Sequence, residues 1–441
     1  MRRSRQAFCL SAVALAVAGV GLSGSAEVVA VGAEFCHGHE ATIVGTPGAD
    51  IDGTDGPDVI VTNGAFVTDA GDGDDLICVT GGTRKEDADV YADAGDDVID
   101  TSASGAGSAR VDLGTGDDTY LGGPGPDRVF AADSELSPRG QGSDTVTTAG
   151  GDDWVVTGGV PGDRDHDAID LGSGDDEVGL EGPGDPALPI QGGSGSDEIE
   201  FGRSTMRRAW AIDNAAGQAT YAGEPVLTWS GMESFELTPW GGWVAPSFVG
   251  GDGPEKVFSV VPLTSVDLGG GDDRIAFHLH TKRLVDHATY DGGAGTDSFI
   301  LNAGAGDQAR RVDLDLVGGS LLFRPADEAV RARIGEFERY RLSAWRLDVA
   351  GTAAPEHVLW IGCRGVVAGG PGDDILEAIA PADVECGYLG DDAEAVARGG
   401  PGDDTLVGEY MPDILIGGPG TDYANGRRNH DRCVAETVVR C

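Results

Sequence analysis

The chain has 441 residues and carries 75 acidic against 30 basic side chains, a formal net charge of −45. That charge repels phosphate backbones and anionic lipid headgroups, which excludes nucleic acid and membrane surfaces as partners and favours cations. Glycine accounts for 73 residues, far above the usual share of about 7%. The every-third-residue period of collagen is absent, and a 40% hydrophobic content set in short triplets such as Val59-Ile60-Val61 and Ile414-Leu415-Ile416 argues against disorder.

In chain order, a basic Met1-Arg2-Arg3-Ser4-Arg5 leads into apolar and small residues from Ala7 to Leu22, with sites suited to cleavage after Ala26, Ala30 or Ala33. This predicts a secretory signal peptide over 1–26, extending at most to 33, and a secreted or cell-surface mature chain. The apolar run is short for a membrane span, and no later segment is long and apolar enough for one, so no membrane insertion is expected. Cys9 leaves with the signal. Cys36, Cys78, Cys363, Cys386, Cys433 and Cys441 remain, an even number that predicts disulfides in an exported chain. Proximity favours Cys433–Cys441 and Cys363–Cys386, leaving Cys36–Cys78. No C-x2-C spacing supports a thiolate metal site.

From residue 43 one pattern recurs. Gly122-Gly123-Pro124-Gly125-Pro126-Asp127-Arg128-Val129-Phe130, Gly399-Gly400-Pro401-Gly402-Asp403-Asp404-Thr405-Leu406 and Gly417-Gly418-Pro419-Gly420-Thr421-Asp422 are clean copies; looser ones end in Asp58-Val59-Ile60 and Asp97-Val98-Ile99. Glycines permit positive φ and close stacking of turns. The Asp closes the turn, and the residues after it form a short strand with one apolar side chain inward. Two turns and two strands give a coil of about 18 residues, and stacked coils bury a core that no single repeat buries alone. Asp404, Asp413, Asp422 and Asp431 are nine apart, so alternate members fall on opposite sides. Glu255 and Asp273, and Asp374 and Asp392, are 18 apart; Asp127 and Asp144, 17 apart, fit the same coil length. Asp75, Asp97 and Asp118 are separated by 22 and 21, which demands extra loop residues.

The predicted fold is therefore all-β, a parallel β-roll or β-helix solenoid of Gly/Asp-rich nonapeptide repeats with irregular, metal-free coils in the middle. Repeats occupy 43–202, 251–302 and 366–432; irregular β coils occupy 203–250 and 303–365, with an independent small β-domain as the alternative; residues 433–441 form a disulfide-closed tail. The irregular segments resemble each other: Ile212-Asp213 and Met232-Glu233-Ser234-Phe235 match Val312-Asp313 and Phe337-Glu338-Arg339-Tyr340.

The nonapeptide resembles the RTX, or haemolysin-type, calcium-binding repeat. The resemblance implies Ca2+ held between turns of adjacent coils by Asp carboxylates and turn carbonyls. Carried onto this chain, the ligand candidates are Asp75, Asp97, Asp118, Asp127, Asp144, Asp153, Asp176, Asp197, Asp273, Asp297, Asp374, Asp404, Asp413 and Asp422, with carbonyls of Gly123, Gly125, Gly400, Gly402, Gly418 and Gly420. Asp50, Glu255, Asp392 and Asp431 sit in degenerate copies. The chain departs from the family in its N-terminal rather than C-terminal export signal, and in gaps that leave only the end from Gly399 regular. Hard oxygen donors without His or Cys beside them select Ca2+ or Mg2+, and flexible carbonyl-rich turns favour Ca2+.

No H-E-x-x-H, G-x-S-x-G or P-loop sequence occurs, so no catalytic residue is assigned and the chain is read as a calcium-binding structural protein rather than an enzyme. His37-Gly38-His39-Glu40 and His278-Leu279-His280 read as surface histidines. The alternatives are a calcium-rigidified adhesin, for which Trp240-Gly241-Gly242-Trp243 offers an aromatic platform, and a hydrolase within 203–365.

Overall fold

The computed structural model of the protein describes residues 33–81, 88–103, 108–131, 142–158, 166–202, 208–239, 243–279, 284–305, 307, 309–325, 329–379, 395–409, 412–428 and 430–441. The expected signal peptide 1–26, Trp240, His280, Cys386 and Asp392 lie outside them. Every regular element among the described residues is a β-strand.

Successive strands alternate between two sheets, so the chain winds as an all-β parallel solenoid. In the first sheet, from Ile51–Asp52 to Thr437–Val439, every neighbouring pair is parallel. The second sheet, from Ile43–Val44 to Arg432–Val434, is mostly parallel. The last coils advance by 18 residues: Thr405 lies beside Tyr423, and Ala395 beside Asp413. Elsewhere coils are longer, as where Leu76 lies beside Val98 and Ile375 beside Thr405.

The 17-residue interval from Asp127 to Asp144 is not one coil. Asp127 opens a first-sheet strand whose neighbour is Trp154–Thr157, whereas Asp144 precedes the second-sheet strand Thr145–Thr147. The coil here is long, so 17 residues carry the chain only from one sheet to the other. Similarly, Asp374 meets Asp404 on the next rung, which removes the 18-residue interval to Asp392 as a coil step.

Two coils are elaborated. Trp210–Asp213, Gln218–Tyr221 and Glu224–Ser230 pair antiparallel in series. The last of these joins Ile190–Gln191 in parallel, and the first joins Ser247–Val249. The chain thus lays down the far strand first and folds back to the near one. Arg310–Asp315, Ser320–Pro325 and Val330–Gly335 repeat the arrangement between Arg346–Ala350 and Ala288–Asp291. These inserts are the irregular segments of the sequence, and they sit within the stack in register with coils on both sides.

Alternation places one residue of each strand triplet inward. Ile60, Ile77, Ile99, Tyr120, Val146 and Ile169 stack from the second sheet, and Val111, Val129, Val155, Val178, Ile199 and Phe235 from the first, all at most 1% exposed. They belong to one continuous core running from Ile51 to Ala424. Disulfides Cys36–Cys78 and Cys433–Cys441 tie down the two ends.

Candidate metal centres

The acid that closes each turn is buried. None of the fourteen candidate aspartates is more than 4% exposed. They stand in columns along the stack, because each precedes a strand that pairs in register with its neighbour. On the second-sheet side the column runs Asp58, Asp75, Asp97, Asp118, Asp144 and Asp167, each donating its backbone N–H to Oδ1 of the next at 2.7–2.9 Å. On the first-sheet side Asp127, Asp153, Asp176 and Asp197 form a run linked in the same way, ending on Glu233. Glu255, Asp273 and Asp297 form the next, ending on Glu338, and Glu356, Asp374, Asp404 and Asp422 another, ending on Glu436. Asp413 and Asp431 form a short column across from them.

The second oxygen of these carboxylates is the feature to explain. Oδ2 of Asp75, Asp97, Asp118, Asp153, Asp176, Asp197, Asp273, Asp297, Asp374, Asp404, Asp422 and Asp431, and Oε2 of Glu255 and Glu356, are buried without a hydrogen-bond partner. Burying an ionised oxygen unpaired is costly, and one remedy is to protonate it. Accordingly, burial, reinforced by neighbouring column acids and only partly offset by the backbone N–H donors, pushes Asp97 up to about 8 and Asp118 and Asp176 up to about 7. Burial and the adjoining Glu255 push Asp273 to about 7, and burial with Asp431 and Glu409 nearby does the same to Asp413. Asp75, Asp127, Asp297, Asp374 and Asp404 rise to about 6, and Asp153 and Asp197 also rise, chiefly through burial.

A second, exposed row of acids lies one residue earlier. Asp74, Asp96 and Asp117 accept N–H groups from the following rung, as do Asp152, Asp175, Asp272, Asp373 and Asp403. The two rows point in opposite directions along the stack: the buried acid reaches back and the exposed acid reaches forward. Every turn is thereby braced on both sides by carboxylate.

The turn glycines have two distinct reasons. Gly402 and Gly420 have φ of +151° and +159°, and a Cβ on Gly420 would collide with the carbonyl of Gly402 beneath it. Gly399 has no positive φ; a Cβ there would overlap the Asp404 carboxylate. The carbonyls of Gly400 and Gly402 lie beneath the α-carbons of Gly418 and Gly420, facing the inter-turn space. The carbonyl of Gly123 accepts the N–H of Gly150 instead.

Columns also include acids that the nonapeptide pattern does not single out as ligands: Asp58, Asp167, Glu255, Glu356 and Asp431. Most carry the one available signal, a glycine five residues upstream, as in Gly250 before Glu255, Gly351 before Glu356 and Gly426 before Asp431. Asp50 is exposed, and no printed contact joins it to a column. Of the histidines, His37 bonds Asp100 at 2.6 Å and His278 stacks on Phe258. Trp243 packs against the core.

Unpartnered buried carboxylate oxygens, turn carbonyls facing the gap between rungs and an absence of softer donors in the columns constitute a hard, oxygen-rich donor set. It fits a divalent cation such as Ca2+. No protein-family profile matches the chain, and no curated relative was found for it.

Proposed function

We propose that the protein is a secreted, calcium-binding structural repeat protein of the RTX kind, in which Ca2+ between successive turns drives folding and stability. The observation that carries this reading is the run of buried carboxylates whose second oxygen has no partner. Two like charges 4 Å apart oppose each other by about 1 kcal/mol in water and about 4 kcal/mol at an effective dielectric of 20. Summed over a column, that rivals the whole stability of a domain, about 5–15 kcal/mol. A divalent cation reverses the sign.

The residues that would hold it are the column aspartates, Asp75, Asp97 and Asp118 on one side and Asp127 through Asp422 on the other, with carbonyls such as those of Gly400 and Gly402. Bound there, the ion supplies charge neutralisation and cross-links adjacent rungs. Export through an N-terminal signal, and the Cys36–Cys78 and Cys433–Cys441 disulfides, suit an oxidising, calcium-rich exterior. Affinity at the weak end of extracellular modules, ~10−4 to 10−3 M, is expected.

Calorimetric titration of chelator-stripped protein tests the reading. Several Ca2+ per chain should bind, with Mg2+ weaker, because Mg2+ demands a rigid octahedral shell and gives up water reluctantly. No saturable calcium heat up to about 10 mM would end it.

A further inference from the structure

The second insert reverses the charge of one face. Arg324, Arg311, Arg346 and Arg364 lie side by side on four adjacent strands of the second sheet: Arg311 is in register with Arg324 on one side and Arg346 on the other, and Arg346 with Arg364. All four occupy outward positions, since their strand neighbours Val312, Phe323, Leu347 and Cys363 are buried. The row crosses the strands and so runs along the stacking axis, one guanidinium per strand spacing of about 4.8 Å. Two of the four charges are matched locally: Arg324 pairs with Asp313 at 2.5 Å and Arg346 with Asp348 at 2.6 Å. Among the described residues Arg311 and Arg364 have no ion-pair partner, and Arg364 Nε is buried with no hydrogen bond. Exposed Arg331 and Arg333 on the neighbouring strand extend the positive surface.

This arrangement is unexpected in a chain of net charge −45, and the core does not need it. Guanidinium groups present paired donors suited to carboxylate and sulfate. A straight, periodic row of them matches a linear polyanion rather than a compact one. We infer that this face binds an acidic polysaccharide laid along the stacking axis. An extended chain of pyranose rings advances by about one strand spacing per ring, ~4.8 Å, so one carboxylate or sulfate per ring meets one arginine per strand. Duplex DNA carries its phosphates at about 3.4 Å along each strand and falls out of step with the row. The inference is independent of the calcium reading and is tested with calcium present throughout.

The test is binding of the full mature chain, calcium-loaded, to immobilised hyaluronan (carboxylate) and heparin (carboxylate and sulfate), with dextran and a single-stranded oligonucleotide as comparisons. At least one acidic glycan should bind and dextran should not, and raising salt from about 50 to about 200 mM should weaken the complex markedly. Arg311→Gln/Arg346→Gln should lower glycan affinity by about tenfold or more. So should Arg331→Gln/Arg333→Gln, which removes none of the ion pairs described above. Arg274→Gln on the opposite sheet should change nothing, and all variants should keep the parent melting temperature. The inference fails if neither glycan binds, if Arg274→Gln weakens binding as much, or if the oligonucleotide binds more tightly than either glycan. It also fails if light scattering shows the arginines holding two copies of the chain together.

Discussion

Asp404 donates its backbone N–H to Oδ1 of Asp422, 3.0 Å away and one coil later, while Oδ2 of each is buried without a partner. Each carboxylate is thus fastened to the preceding rung by one oxygen and left with an uncompensated charge on the other. The hydrogen bond needs only an acceptor; the charge needs a cation or a proton. Substitutions that separate these two requirements are the informative ones.

Asp404→Asn keeps an oxygen to accept the N–H of Asp374 and removes the charge; Asp404→Ala removes both. In calcium-free protein at about pH 8, Asn should leave stability unchanged or raise it, whereas Ala should lower it by about 1–3 kcal/mol, the cost of an orphaned buried donor. With calcium present both should be destabilising. Denaturant unfolding of the three proteins with and without calcium reads this directly. An Asn variant as damaged as Ala in the absence of calcium would show that charge is not the issue.

Acidity should stabilise the calcium-free fold. Asp97 is raised to about 8, and Asp118, Asp176, Asp273 and Asp413 to about 7, all above the unfolded value of about 3.9. A raised folded pKa means that the folded state holds protons that the unfolded chain has released. The associated stability is complete below about pH 4 and is lost as pH climbs through about 6 to about 8. Melting of calcium-free protein should therefore occur at a higher temperature at about pH 5 than at about pH 8. Calcium-loaded protein should lose this trend, because protons then compete with the ion. A calcium-free melting temperature that rises between those two pH values would contradict the assignment.

Gly399→Ala should be costly although its backbone conformation suits alanine. The added methyl overlaps the Asp404 carboxylate, so the expected loss is about 1–3 kcal/mol from overpacking, accompanied by weaker calcium binding. Gly56→Ala, at a turn position with no atom within 4 Å of the new methyl, should be tolerated. Equal effects at the two sites would mean that the first glycine of the repeat is present for chain flexibility alone.

Cys36–Cys78 closes a 42-residue separation, for which loop entropy gives about 4 kcal/mol. Replacing both with serine should destabilise the N-terminal coils, with faster amide exchange in Val59–Val61 and Leu76–Cys78 than in Thr405–Val407. Uniform exchange along the chain would contradict this local role.

Much of the solenoid was readable because the nonapeptide couples turn and strand in one period. The nine-residue spacing from Asp404 to Asp431 already places Asp404 with Asp422 and Asp413 with Asp431. Reading failed where coil length varied. Asp127 and Asp144 are 17 residues apart, but loops lengthen that coil and put them on different sheets. The inserts show a second limit. Alternation in Val312-Asp313-Leu314 marks a strand, yet nothing in it states that the chain lays down the far strand before the near one. Glu255 and Glu356 enter the columns because a longer acid reaches the same backbone N–H, and a pattern written for Asp passes them over. The outer arginine row became visible only once strand register was known, since Arg311, Arg324, Arg346 and Arg364 are scattered in sequence.

The most direct measurement is thermal unfolding by far-ultraviolet circular dichroism at about pH 8, on one preparation divided into chelator-stripped and millimolar-calcium halves. Several sites, each contributing a ligand-binding term of the form RT ln(1 + [L]/Kd), should raise the melting temperature by roughly 10 °C or more and increase the β-sheet signal. Superimposable curves would mean that the buried carboxylates are carried by the fold without a cation.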